Sequence, residues 1–280
     1  MSTLKKILNK ITPPIFLDSA KLLQKKFQNG EVSYSNFDEE KVIAKHLAQL
    51  GITDTFCVDI AASDGVTMSN TYALFKSGWQ GIAVEFNPIK FSILANVYQQ
   101  FENAYLVKTK VTPQNVTSIL DSCNCPKNFG FLNLDIDSYD YFVLDSLLSV
   151  YRPQLICLEI NEKIPPPFSF SVTYSEDHFW QEDHFYGQSI CMSNKLCLKH
   201  NYQIVELHYN NLFIVPQEIN KFKALSPEEA YESGYKSKSD REQRFPYNGD
   251  MNVLLNMNKE EGIEFIRAKF TKYSGKYFLE

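Results

Sequence analysis

Five apolar runs recur between residues 55 and 160: TFCVDI, GIAVEF, AYLVKTKV, FGFLNLDID and QLICLEI. Each is short enough for a strand, and a stretch with helical spacing follows each of the first four. Strand–helix units repeated in this way require a parallel sheet covered by helices on both faces and joined by right-handed crossovers. Four of the runs also stop at acids: Asp59 and Asp64, Glu85, Asp135 and Asp137, and Glu159 with Glu162. A carboxylate at a buried strand end is costly unless something binds it. In an open α/β sheet, ligands sit outside the carboxyl ends of the strands, where the strand order reverses. The pattern implies a doubly wound α/β fold with a ligand at that edge.

The intervening helices carry their own signals. SNTYALFKSG closes on Gly78, a common C-terminal stop. A helix opening at Pro88 carries Ile89, Ile93, Val97 and Phe101 at steps of four. Thr112 and Pro113 read as the cap and first residue of the next helix. Val143, Leu144, Leu147, Leu148 and Tyr151 mark another after the fourth run. Beyond a long loop, a helix near Ser189–His200 precedes YQIVELHY and NLFIVP, separated by little more than Asn210 and Asn211. So short a gap suits a hairpin, and the sheet should end antiparallel. Val42, Ile43, Leu47 and Leu50 place a further helix ahead of the first strand. The division expected is a basic amphipathic N-terminal extension over 1–38, a core domain over 39–217 and a lysine-rich helical extension over 218–280.

Composition narrows the setting. A hydrophobic share of 44% over 280 residues supports a sizeable core. No apolar run approaches the ~20 residues of a membrane helix, and the N-terminal apolar residues are interspersed with lysines rather than gathered into a signal core. The expected location is the cytoplasm. The six cysteines fit a reducing compartment: Cys57 and Cys157 fall inside strands, Cys123 and Cys125 are too close for a zinc knuckle, and Cys191 and Cys197 lack C-x-x-C spacing. Residues 1–30 hold six lysines against one acid, Asp18, a net of +5; with −5 for the whole chain, the remainder carries −10. That balance argues against a nucleic-acid partner for the main body. The first segment either packs on the domain as a helix or makes peripheral contact with an anionic membrane at its inner face.

Glu85 is the most informative acid. It ends the second strand 26 residues past Asp59, where a carboxylate can accept hydrogen bonds from both hydroxyls of a ribose. The turn AASDG lacks G-x-G-x-x-G, and Asp59 and Asp64 are poor neighbours for a pyrophosphate. They suit a ligand with positive charge, such as an amino group and a sulfonium.

The segment from Phe56 to Pro88, with FLNLDIDSYDYFVLDSLL and LICLEINE, resembles the class I S-adenosylmethionine-dependent methyltransferases. Within them it is most similar to the FkbM type and its relatives from surface-polysaccharide clusters, over roughly residues 52–216. The resemblance implies a Rossmann-like sheet and an enzyme that methylates a small-molecule or glycan acceptor, with a sugar hydroxyl expected. It implies that Asp59, Ala61, Ser63, Asp64 and Gly65 hold the methionyl part and Glu85 the ribose, with Asn70, Phe86 and Asp135 completing the cofactor set. Ala61 stands at the usual first glycine of the turn, so its backbone is expected to avoid positive φ. Asp137, Glu159 and Asn161 form the expected acceptor side and the ligands for Mg²⁺ or another divalent cation, with helix capping as the alternative. Asp137, Glu159 and His184 are the candidate general bases, His178 a weaker one. The loop PPPFSFSVTY is a candidate wall of the acceptor pocket. Two rivals stand beside this reading: a non-catalytic nucleotide- or glycan-binding domain, and an NAD-dependent nucleotide-sugar oxidoreductase.

Overall fold

A computed structural model describes residues 33–280, so the expectations placed on residues 1–30 lie outside the described residues. Helix α1 (Glu39–Leu50) leads into β1 (Phe56–Ile60), α2 (Tyr72–Lys76), β2 (Gln80–Glu85), α3 (Pro88–Tyr98), β3 (Ala104–Lys108), α4 (Val116–Ser122), β4 (Phe131–Leu134), α5 (Asp140–Leu148) and β5 (Leu155–Glu159). Strand β6 (Phe170–Val172), α6 (Ile190–His200), β7 (Tyr202–His208) and β8 (Asn211–Pro216) follow. The C-terminal part holds α7 (Pro227–Tyr231), α8 (Arg241–Arg244), α9 (Lys259–Lys269) and β9 (Tyr277–Leu279), with a π-helical turn (Glu232–Lys236) and short 3₁₀ turns between.

Seven strands form one sheet in the order β3-β2-β1-β4-β5-β8-β7. β1 to β5 are parallel, whereas β8 runs antiparallel to both β5 and β7. This is the expected doubly wound, mostly parallel Rossmann-like sheet with an antiparallel final hairpin. Strand direction and side-chain alternation explain the two apolar layers. Val58, Ile82, Leu132 and Leu158 face α4, α5 and α6, while Cys57, Ala83, Phe131 and Cys157 face α1, α2 and α3. Every residue of β1 is buried, as expected for a central parallel strand. The chain order reverses between β1 and β4, which fixes where a ligand can sit.

Two helices differ from their sequence signals. In α3 the buried residues are Leu94 and Tyr98, while Val97 and Phe101 are only partly buried against the same apolar cluster and Ile89 is exposed. Helix α4 begins at Val116, three residues past Pro113. Thr112 Oγ1 instead accepts from Asn115 N–H at 3.2 Å and Asn115 Oδ1 accepts from Thr112 N–H at 2.7 Å, closing a turn ahead of the helix.

The C-terminal part is woven into the rest. Strand β9 pairs with β6, and Phe168, Phe170, Val172 and Phe185 share an apolar cluster with Ile266, Phe270 and Tyr273. The PPPFSFSVTY loop therefore supplies this cluster and not a pocket wall. Buried Glu162, just past β5, accepts from Tyr186 Oη at 2.8 Å and from Asn248 Nδ2 at 2.6 Å, while Tyr231 Oη donates to its carbonyl at 2.7 Å. These bonds tie the C-terminal part to the strand end that carries Glu159.

Candidate functional site

The turn after β1 is built on unusual backbone. Ala61 takes φ +72° and Ser63 φ +54°, and Gly65 takes φ +80°. Positive φ at Ala61 corrects the expectation that its backbone would avoid that region. Two bonds stabilise the conformation: Ala61 and Ala62 N–H both donate to Val84 O, at 2.9 and 3.0 Å. Gly65 is required for space as well, since a Cβ there would lie 2.5 Å from Leu94 and 2.6 Å from Tyr98. Asp64 Oδ1 accepts from Val66 and Thr67 N–H at 2.9 and 2.7 Å. Asp64 and Gly65 thus shape the turn and do not line the cavity beside it.

Asp59 lies at the floor of that cavity, which measures about 380 Å³. Its carboxylate accepts from Thr71 Oγ1 at 2.5 Å and from Asn133 Nδ2 at 2.9 Å, and Asn70 Nδ2 donates to Asn133 Oδ1 at 2.9 Å. Burial pushes the Asp59 carboxyl up despite these donors. Glu85 is buried at the end of β2; Oε2 accepts from Ser63 N–H at 2.9 Å and Oε1 from Asn87 N–H at 2.6 Å. Each oxygen keeps a further acceptor position, and the carboxylate lines the cavity.

Across the cavity, Asp135, Asp137 and Glu159 offer oxygen atoms within 4.8 Å of one another. Burial is the main cause holding all three carboxyls above their usual range; repulsion from Asp137 adds to it at Asp135, and repulsion from Asp135 and Asp137 at Glu159. Lys90 and Lys163 oppose the rise at Asp137. Asp137 itself takes φ +55°. Its loop is fixed by Asp140, whose carboxylate accepts from Ile136 and Ser138 N–H at 2.8 and 3.0 Å. Burial pushes that carboxyl up to about 6. Asn210 Nδ2 holds Glu159 Oε1 at 2.8 Å, and Asn211 Nδ2 holds the buried Glu39 Oε1 at 3.0 Å.

A second cavity, about 260 Å³, shares Ala61, Phe86, Lys90, Ile136 and Asp137 with the first. It lies toward β3 and has a largely apolar lining that includes Val84, Val111, Tyr139, Phe179 and Trp180. Ser138 Oγ and His178 Nδ1 meet on its wall at 2.5 Å. Burial keeps His178 below the usual imidazole value.

The structure brings Asp59, Ala61, Ser63, Asn70, Glu85, Phe86, Asp135, Asp137 and Glu159 to these two cavities. Besides Asp64 and Gly65, two expected residues go elsewhere. His184 pairs with Asp250 at 3.1 Å, drawn to the C-terminal part. Asn161 is buried, donates to the carbonyls of His184 and Tyr186 at 2.9 and 3.0 Å, and lines neither cavity. Residues that sequence reasoning missed include Glu39, Asn133, Asn210 and Asn211. Glu39 carried no signal of its own and Asn210-Asn211 read only as a turn, because both are delivered by elements distant in the chain.

No family model matches this chain, and no curated protein does. Solved structures with a similar fold include the N-terminal domain of EvdMO1 with S-adenosylhomocysteine (SAH) bound, at 11% identity and TM-score 0.41, covering 65% of this chain and 82% of that one. A S-adenosylmethionine-dependent methyltransferase from Clostridium acetobutylicum is similar at 11% identity and TM-score 0.44, covering 71% and 98%. Magnesium protoporphyrin IX methyltransferase from Synechocystis PCC 6803 with bound SAM is similar at 11% identity and TM-score 0.38, covering 63% and 79%.

Proposed function

We propose that the chain is an S-adenosylmethionine-dependent methyltransferase that O-methylates a sugar or sugar-derived intermediate of a surface glycan, as the FkbM-type resemblance of its sequence implies. The observation that carries the reading is the position of Glu85. Its carboxylate lines the polar, acid-lined cavity next to Phe86, which that cavity shares with the apolar, aromatic one. A cofactor with a flat base, a ribose and a cationic amino-acid tail matches that sequence of environments. The base enters the apolar cavity, the ribose hydroxyls donate to Glu85, and the tail runs over Asp59 and Asn70.

The polar half suits a hydroxyl-rich acceptor, since Glu39, Glu159, Asn210 and Asn211 present acceptors and amides rather than apolar surface. In the reaction the acceptor oxygen attacks the methyl carbon, the carbon–sulfur bond breaks and the sulfonium becomes a neutral thioether. The acceptor's proton passes to a carboxylate. Asp137 is the best placed to take it, because Lys90 and Lys163 oppose the rise that burial causes in its carboxyl, whereas at Glu159 repulsion from Asp135 adds to the effect of burial. Alignment of acceptor and methyl supplies much of the remaining acceleration.

Asp135, Asp137 and Glu159 also form an all-oxygen donor set of the kind hard divalent cations take. A bound Mg²⁺ would orient the acceptor hydroxyl and lower its pKa. The same three residues would then hold the ion instead of sharing a proton.

The test is calorimetric titration with SAH beside NAD and a nucleotide sugar. Binding of SAH alone supports the reading. NAD binding without SAH binding would favour an oxidoreductase, and nucleotide-sugar binding alone a non-catalytic domain.

A further inference from the structure

The apolar cavity is closed by a segment that comes from far along the chain. Residues Glu176 to Asp183 follow β6, yet they cross to the loops after β2, β3 and β4. Phe179 lies against Phe86, ring centres 5.8 Å apart. The Lys110 ammonium sits 4.0 Å from the centre of the Phe179 ring and donates to the Glu176 carbonyl. His178 is fastened to Ser138, which is itself buried and locked by Asp140. Phe86, Phe179 and Trp180 nevertheless remain 47%, 50% and 43% exposed. Three large aromatic side chains half-exposed around one cavity mouth are a costly arrangement for a surface that meets only water. A flat ring seated in the cavity would cover them.

Resting on the cofactor reading above, we propose that Glu176–Asp183 is the outer wall of the cofactor's base site, with Phe179 and Phe86 as its apolar contact and the Ser138–His178 hydrogen bond as the tether. Phe179 is a specificity-determining residue, because it touches the base. His178 is a positioning residue, because it acts through the segment. The wall makes cofactor retention depend on the segment between β6 and α6, while the methionyl end depends on the turn after β1.

The experiment compares the unaltered chain with Phe179→Ala and His178→Ala, titrated with SAH and separately with adenosine. Both altered side chains lie in a surface loop, so circular dichroism should report an unchanged fold. Phe179→Ala is expected to weaken SAH and adenosine by a similar factor, roughly ten-fold or more, the scale of losing one aromatic partner to a base. His178→Ala is expected to speed SAH release in stopped-flow measurements. A second readout is fluorescence. Trp180 is one of two tryptophans in the chain, and Trp79 packs in the apolar layer under α1 to α3. SAH should change the emission of the unaltered chain and not of Trp180→Phe. Absence of SAH binding to the unaltered chain would remove the cofactor reading itself. Tight binding to it, with affinities and release rates in both variants within two-fold of the original, would overturn the wall alone.

Discussion

The Glu85 carboxylate accepts a hydrogen bond from Ser63 N–H at 2.9 Å, linking the end of β2 to the turn after β1 across 22 residues of sequence. One side chain thereby shapes the turn after β1 and, in the proposed reading, also places the ribose. Glu85→Ala should weaken SAH by about 1.5–3 kcal/mol, the scale of hydrogen bonds to a charged group. Calorimetry on the folded variant checks this, and an unchanged affinity would falsify the ribose assignment.

Asp137 is proposed to lie on the acceptor side. Asp137→Asn should leave SAH affinity nearly intact and lower turnover by ~100-fold or more, as for loss of a general base. Chelator treatment separates the two versions of its role. Activity lost to chelator and restored by Mg²⁺ supports ion binding, and indifference leaves the carboxylate as the base. Full turnover in both Asp137→Asn and Glu159→Gln would exclude the cluster from the chemistry.

Acid stability should depend on Glu206. His46 Nε2 at 3.0 Å and Lys45 Nζ at 2.8 Å, both from α1, hold its carboxyl at about 2, against the opposing effect of burial. A carboxyl lowered from 4.5 stabilises the fold above its unfolded value, and that contribution disappears as pH falls toward 2. The part at stake is on the order of 1–3 kcal/mol after allowance for partial exposure. Urea midpoints of the unaltered chain and Glu206→Gln should converge as pH drops from about 5 to about 2. Parallel curves over that window would mean that this pair does not anchor α1.

Residues 1–30, with a net charge of +5, are proposed to attach weakly to anionic lipid, at up to ~1 kcal/mol per lysine near the surface. Sedimentation with anionic and neutral vesicles at low salt tests this. Equal, poor pelleting with both would leave the segment without a membrane role.

The sequence by itself determined the sheet and its functional edge. Period-free apolar runs such as FCVDI and LICLE can only be strands buried on both faces, and the helical spacing between them forces parallel crossovers. The acids at the ends of those runs were legible for the same reason, since a strand end has one location in such a sheet. Local sequence could not tell which neighbouring polar residues turn inward. Asp64 and Asn161 bond to nearby backbone, and His184 is taken by Asp250, more than sixty residues further along. Glu39 reaches the cavity because α1 packs on the sheet there, Asn210 and Asn211 because the β7–β8 hairpin pairs onto β5, and Phe179 because a loop crosses to β3. Such contacts depend on how distant elements dock, a long-range packing outcome that a window of neighbouring residues does not contain. The positive φ at Ala61 was decided the same way, by two hydrogen bonds to Val84 that exist only once β1 and β2 are paired.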